Sequence, residues 1–344
     1  MLRRSFLAAA AAGVARPADS QESSVVKLGI DLFSIRSQGW TPFEYLDYCS
    51  TWKAKVVHFS ETRFLGGLEE ERLKKVRAHA EKLGIELEIG MRSICPTSRT
   101  FDPAQGTAEE QLAGMIRAAQ VVGSKLVRVF VGSMADRAGP LPIEGHIENT
   151  VRVLKAVRSR VLDSGVKIAV ENHSGDLQAR ELKILIEEAG KDLVGACLDS
   201  GNPLWTLEDP HLTLEVLHPY VLTSHVRDSA VWRVPDGVAV KWVRMGEGNV
   251  GISEYIRKYR ELCPGKALSL EVIVTQPRIF KYLDPAFWDG YRGVRAWEFA
   301  RFLALAEAGR PHEGPPPAPR EQAALRERED LEASIRFCQE LLQL

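Results

Sequence analysis

Lys167-Ile168-Ala169-Val170-Glu171-Asn172-His173 is the stretch on which the reading of this chain turns: a short apolar, β-branched run stops on a carboxylate. The same pattern recurs downstream. Val194-Gly195-Ala196-Cys197-Leu198 runs into Asp199-Ser200-Gly201-Asn202, Leu222-Thr223-Ser224 into His225-Val226-Arg227-Asp228, and Leu268-Ser269-Leu270 into Glu271. Runs this short, bounded by turn residues, read as fully buried strands. The segments between them have helical spacing, and strands alternating with helices indicate a parallel sheet covered by helices.

Working outward, eight strands are predicted: 27–33, 55–60, 86–91, 126–131, 167–171, 194–199, 221–226 and 267–274. Leu73, Val76, Ala80 and Leu83 share one helical face, as do Ile147, Val151, Leu154 and Val161. Thr107 and Asp209 are placed as N-caps, and Gly84, Gly123, Gly165 and Gly190 stand where helices should stop. Eight strand–helix units predict an α/β fold, a closed (β/α)₈ barrel. A doubly wound open sheet is disfavoured because Gly29-Ile30-Asp31-Leu32-Phe33 lacks the glycine-rich turn that follows its first strand.

The chain has 344 residues, and one such barrel takes about 250. The barrel is expected over 25–308. The proline-rich segment 309–319 cannot be helical and reads as a linker. In 320–344, Leu331, Ile335, Cys338 and Leu342 mark an amphipathic helix that would dock on its own barrel or on a second subunit, making a homo-oligomer. A net charge of −1 provides no field for gathering a nucleic-acid backbone, so no nucleic-acid partner is expected. The five scattered cysteines form no disulfide framework, and no membrane anchor is read in the body of the chain. Residues 1–24 look like an export signal and lead-in. Arg3-Arg4-Ser5-Phe6-Leu7 before an alanine run resembles a twin-arginine signal peptide, which predicts a periplasmic protein exported already folded.

In a barrel of this kind the active site lies at the C-terminal ends of the strands. A charged residue closing a buried strand is costly unless paired or bound to a metal. Four in succession share one explanation, a common cation held by Glu171, Asp199, His225 and Glu271. Three carboxylates and one imidazole form an oxygen-rich set suited to one divalent ion, Mn²⁺ first, with Mg²⁺, Co²⁺ or Zn²⁺ also compatible. His173 and Arg227 lie two residues beyond Glu171 and His225, so strand alternation places each on its partner's side as a substrate contact. Asn202 and Glu247 are further candidate substrate-binding residues. Trp205, Trp232 and Trp242 follow these strands and would suit sugar C–H faces. His58 reads as a core or rim histidine, and His79, His146, His211, His218 and His312 as surface residues.

The ordered set Val-Glu-Asn-His, Leu-Asp-Ser-Gly-Asn, Ser-His-Val-Arg-Asp, Gly-Glu-Gly-Asn-Val-Gly and Leu-Glu-Val resembles the xylose isomerase-like TIM barrel superfamily of sugar phosphate isomerases and epimerases, over roughly residues 25–308. The resemblance implies that Glu171, Asp199, His225 and Glu271 are metal ligands, and that Glu171 and Glu271 are the catalytic acid/base pair. Asn202 stands where some ketose epimerases carry a histidine. The implied activity is isomerisation or epimerisation of a sugar or sugar-like keto-polyol through a metal-stabilised enediolate. A lyase or dehydratase acting on a keto-inositol or 3-keto-sugar would use the same site. A metal-dependent phosphodiesterase and a non-catalytic sugar-binding barrel rank lower. No GxxxxGK[ST] loop or run of lysines and arginines marks a phosphate site, which favours an unphosphorylated carbohydrate.

Overall fold

The computed structural model describes residues 26–344, so the export-signal reading of 1–24 lies outside the described residues. Eight parallel strands form a barrel: β1 (Lys27–Asp31), β2 (Val56–Phe59), β3 (Glu86–Ser93), β4 (Leu126–Phe130), β5 (Lys167–Glu171), β6 (Val194–Asp199), β7 (Val221–His225) and β10 (Ala267–Leu270). They pair in sequence order, and β1 pairs β10. Beyond the last regular pairing the ring closes between β7 and β10: Val226 N donates to Ser269 O at 2.7 Å, and Glu271 N donates to Val226 O at 3.0 Å.

The helices are α1 (Pro42–Thr51), α2 (Glu70–Leu83), α3 (Ala108–Val122), α4 (Met134–Arg137), α5 (Ile143–Ala156), α6 (Arg158–Ser164), α7 (Ala179–Ala189), α8 (Pro210–Leu217), α9 (Ile252–Leu262), α10 (Ala296–Ala308) and α11 (Arg320–Leu342). Thr107 caps α3 with a full capping box, and the Asp209 carboxylate accepts from His211 N at the start of α8. Gly84, Gly123 and Gly165 end their helices in the left-handed conformation. The periodic stretch through Val161 is two helices, α5 and α6, broken at Val157.

Three boundaries differ from expectation for local reasons. β1 stops at Asp31 because its carboxylate accepts from Phe33 N at 2.7 Å and starts a 3-10 turn. β10 stops at Leu270 because the backbone leaves the barrel, with Val272 N donating to Ser34 Oγ at 2.9 Å and Thr275 N to Trp242 O at 3.2 Å. The chain after β7 is a small antiparallel sheet of β8 (Asp228–Val234), β9 (Gly237–Val243) and β11 (Arg278–Phe280). Pro235-Asp236-Gly237 turns its hairpin. A Cβ on Gly237 would sit 2.1 Å from Phe280 O, so only glycine lets β11 approach.

Residues 309–319 carry no helix or strand, and α11 packs on its own barrel. Leu331, Ile335 and Cys338 are fully buried, each Leu or Ile contributing about 1.5–3 kcal/mol by burial. Tyr48 OH donates to Glu332, Ser37 N to Glu327 and Gln339 Nε2 to Trp52 O. No helix of the described residues is long and apolar enough to cross a membrane.

Candidate metal centre and its cavity

Glu171 is the last residue of β5, Asp199 of β6 and His225 of β7, and Glu271 follows β10 directly. Register places Asp199 beside His225, and the Val226–Leu270 bridge brings Glu271 next to them. The ligand atoms of all four lie within 4.8 Å of one another, and all four residues are buried. His225 Nδ1 is 3.1 Å from Glu171 Oε2 and 3.3 Å from Glu271 Oε2, yet it makes no hydrogen bond. An imidazole nitrogen orphaned among three carboxylates is what a divalent ion would satisfy, so these residues fit one. The other face of His225 is supported: Nε2 lies 2.9 Å from His58 Nδ1 and 3.3 Å from Asp31 Oδ2. An Nε2–H donated to His58 leaves Nδ1 free as a ligand, the usual outer support of a metal-binding histidine.

Two buried arginines answer the carboxylates. Arg128 on β4 pairs with Glu171 through Nε and donates to Met91 O at 3.3 Å. Arg227 bonds both Asp199 and Glu271. It packs across Gly201, where a Cβ would stand 2.4 Å from Arg227 Cγ, and its guanidinium stacks on Trp242 at 4.3 Å. Burial raises the Glu171 carboxyl, but Arg128 and His225 outweigh it and hold the group well below the usual carboxylate range. For Asp199, burial wins over Arg227 and the carboxyl is raised. Burial opposes a proton on His225, while Cys197, Glu171 and Asp31 pull its pKa well above the ordinary imidazole value.

Above the quartet lies a cavity of about 240 Å³. His173, Asn202, Arg227 and Glu271 line it, together with Phe33, Phe130, Trp242 and Ile273. His173 stacks on Phe130 at 3.9 Å and bonds Gly132 O through Nδ1 at 2.9 Å, and burial lowers its pKa to about 4. Asn202 Nδ2 donates to Glu171 Oε1 at 3.2 Å. Its Oδ1 and the Arg227 Nε are buried without partners, an acceptor and a donor suited to a hydroxylated ligand. Trp242 stacks on Trp205 at 4.5 Å, while Trp232 is buried in a separate cluster away from this cavity.

Glu247 is not brought to the site. The Asp228 carboxylate accepts from Gly246 N and Gly248 N, both at 2.9 Å, and this turn leaves Glu247 exposed. His146 is buried, not on the surface, with Nδ1 2.9 Å from Thr97 Oγ1. Sequence reasoning missed Asp31, Arg92 and Arg128. Arg92, Arg128 and Arg227 come from distant parts of the chain and line one cavity, a basic grouping that no run of residues announces.

Among known proteins, the chain is 24% identical over 180 residues to the 3-oxo-isoapionate decarboxylase of Pectobacterium atrosepticum, a match covering 52% of this chain and 58% of that protein. It therefore spans less than two thirds of that relative's length. By fold it is similar to the D-psicose 3-epimerase of Clostridium cellulolyticum H10, solved with D-tagatose, with a TM-score of 0.57, 13% identity and coverage of 90% and 99% of the two chains. It is also similar to the IOLI protein solved with a zinc atom, with a TM-score of 0.55, 14% identity and coverage of 83% and 100%. The model of one family matches residues 46–286, most of the barrel, and the chain belongs to that family, described as xylose isomerase-like TIM barrel.

Proposed function

We propose that this chain is a divalent-metal-dependent isomerase or epimerase of a sugar or sugar-like keto-polyol, with Glu171 and Glu271 moving the protons. The observation that carries the reading is the orphaned His225 Nδ1 between these two glutamates, next to a cavity lined by Glu271 and by Asn202 and Arg227 with their unpaired polar atoms. A divalent ion held by Glu171, Asp199, His225 and Glu271 would supply the positive charge that acidifies the carbon next to a substrate carbonyl. Arg128 and His225 keep Glu171 ionised, as a base must be. One glutamate removes the C–H proton and the other returns one. Return to the opposite face of the same carbon gives the epimer, and return to the neighbouring carbon gives the aldose–ketose isomer. Asn202 and Arg227 offer their free polar atoms to substrate oxygens, and the Trp242 face suits sugar C–H groups. The name of the epimerase of similar fold agrees with this reading.

A second reading, a lyase acting on a keto-sugar, keto-inositol or related keto-acid, is favoured by the match to a decarboxylase. The same ionised intermediate that takes up a proton could instead expel a leaving group or arise by loss of CO₂. Incubation of metal-loaded protein with ketoses, 3-keto-sugars and inosose in D₂O separates the two. Deuterium in a recovered isomer supports the first reading, and loss of water or CO₂ the second. Exchange that persists in both Glu171→Gln and Glu271→Gln would sink the two-base scheme. The Arg3-Arg4 segment adds to this proposal an exported enzyme, tested by locating the processed chain in cell fractions.

A further inference from the structure

The cavity's charges are matched in all but one place. Arg128 is taken by Glu171, and Arg227 by Asp199 and Glu271. At the rim, Glu61 is taken by Arg63, and the nearby Arg36 by Glu327. Arg92 lines the same cavity as Glu271 and has no carboxylate partner among the described residues. It projects from the C-terminal end of β3, in the inward alternation of Glu88 and Gly90, and its surface is exposed to whatever enters. Arg128 and Arg227 are taken up by the carboxylates of the metal-site quartet, which leaves Arg92 as the guanidinium of this cavity free to meet an incoming anion.

Resting on the metal-site reading above, we propose that the substrate is a sugar acid, and that Arg92 binds its carboxylate while the carbonyl end reaches Glu271, the member of the quartet that lines the same cavity. A guanidinium pairs with a carboxylate through two parallel hydrogen bonds, which fixes orientation as well as charge. A phosphate is a poorer fit, since no lysine and no glycine-rich turn lines this cavity. Arg92 is thus a specificity-determining residue, assigned without any role in proton transfer.

The test is isothermal titration of metal-loaded full-length protein with D-fructuronate, D-fructose and D-fructose 6-phosphate, for the native chain, Arg92→Gln and Arg92→Lys. The keto-acid should bind at least about tenfold more tightly than fructose, a preference that shrinks with added salt. Arg92→Gln should abolish that preference while leaving fructose binding unchanged, and Arg92→Lys should retain part of it. Equal affinity for acid and ketose, an Arg92→Gln loss shared by both, or tighter binding of the phosphate would each overturn the assignment. Deuterium exchange into the same ligands keeps the two proposals apart. Exchange without charge preference removes the Arg92 assignment alone, whereas an Arg92-dependent preference with no exchange removes the proton-transfer reading alone.

Discussion

Strands β5, β6 and β7 end in Glu171, Asp199 and His225, with Glu271 just past β10, while strands β1 to β4 direct Asp31, His58, Arg92 and Arg128 to the same interior. Strands β1 to β4 supply His58 and the two guanidiniums of Arg92 and Arg128, and the later strands supply His225, Arg227 and most of the carboxylates. Contacts join the two halves: Arg128 meets Glu171 on the adjacent strand β5, and His58 meets His225 across the barrel. The difference separates tasks: the later strands carry the four residues whose arrangement fits an ion, while Arg128 and His58 on the earlier ones set the charge state of Glu171 and the orientation of His225. That division can be broken by experiment.

The largest effect is expected on the carboxylate side. Glu171→Gln or Glu271→Gln should each slow deuterium wash-in by about 10²–10⁴-fold, the usual contribution of a positioned acid or base. Wash-in at native rate in either variant would move the chemistry elsewhere. On the neighbouring strand β4, Arg128→Met leaves Glu171 as a buried charge without its guanidinium. Metal-free protein should then lose about 3–5 kcal/mol in urea unfolding, and a loss under about 1 kcal/mol would show that Arg128 is not the counter-charge.

His58→Asn should weaken metal binding about 10–100-fold in chelator competition while leaving the four ligands in place. In the native protein the ion must displace a proton from His225, whose pKa is raised, so apparent metal affinity should increase with pH across neutrality. A flat pH response would mean that Nδ1 is not a ligand.

The smallest effect belongs to His173. Burial lowers its pKa from 6.5 to about 4, so the unfolded chain takes up a proton first as pH falls. Its contribution to stability is complete above pH 6.5, is lost as pH drops toward 4, and is constant below that. His173→Gln should flatten that portion of the stability profile relative to the native chain, measured by thermal unfolding.

The four later strand ends were legible because each apolar run stops on a charged residue, a local signal that survives without knowledge of partners. Arg128 was not legible. In Leu126-Val127-Arg128-Val129-Phe130 an arginine within an apolar strand looks like the one solvent-facing position, and only closure of the ring turns that face inward. The hairpin β8–β9 did carry a signal, Pro235-Asp236-Gly237 between two apolar runs, but a reading as eight strand–helix units leaves this segment unassigned. Glu247 went the other way: a glycine-flanked acid beside the site, turned out to solvent by two hydrogen bonds to Asp228.

Local sequence thus determined the order of strands and helices and which charged residues close the later barrel strands, because burial penalties act on a residue and its immediate neighbours. Tertiary structure alone decided that His58 meets His225 across 167 positions, that Arg128 holds Glu171 ionised, and that Arg92 lines the cavity without a carboxylate partner among the described residues. Pairing and charge state depend on distance in space, and in a barrel that distance is set by closure of the ring.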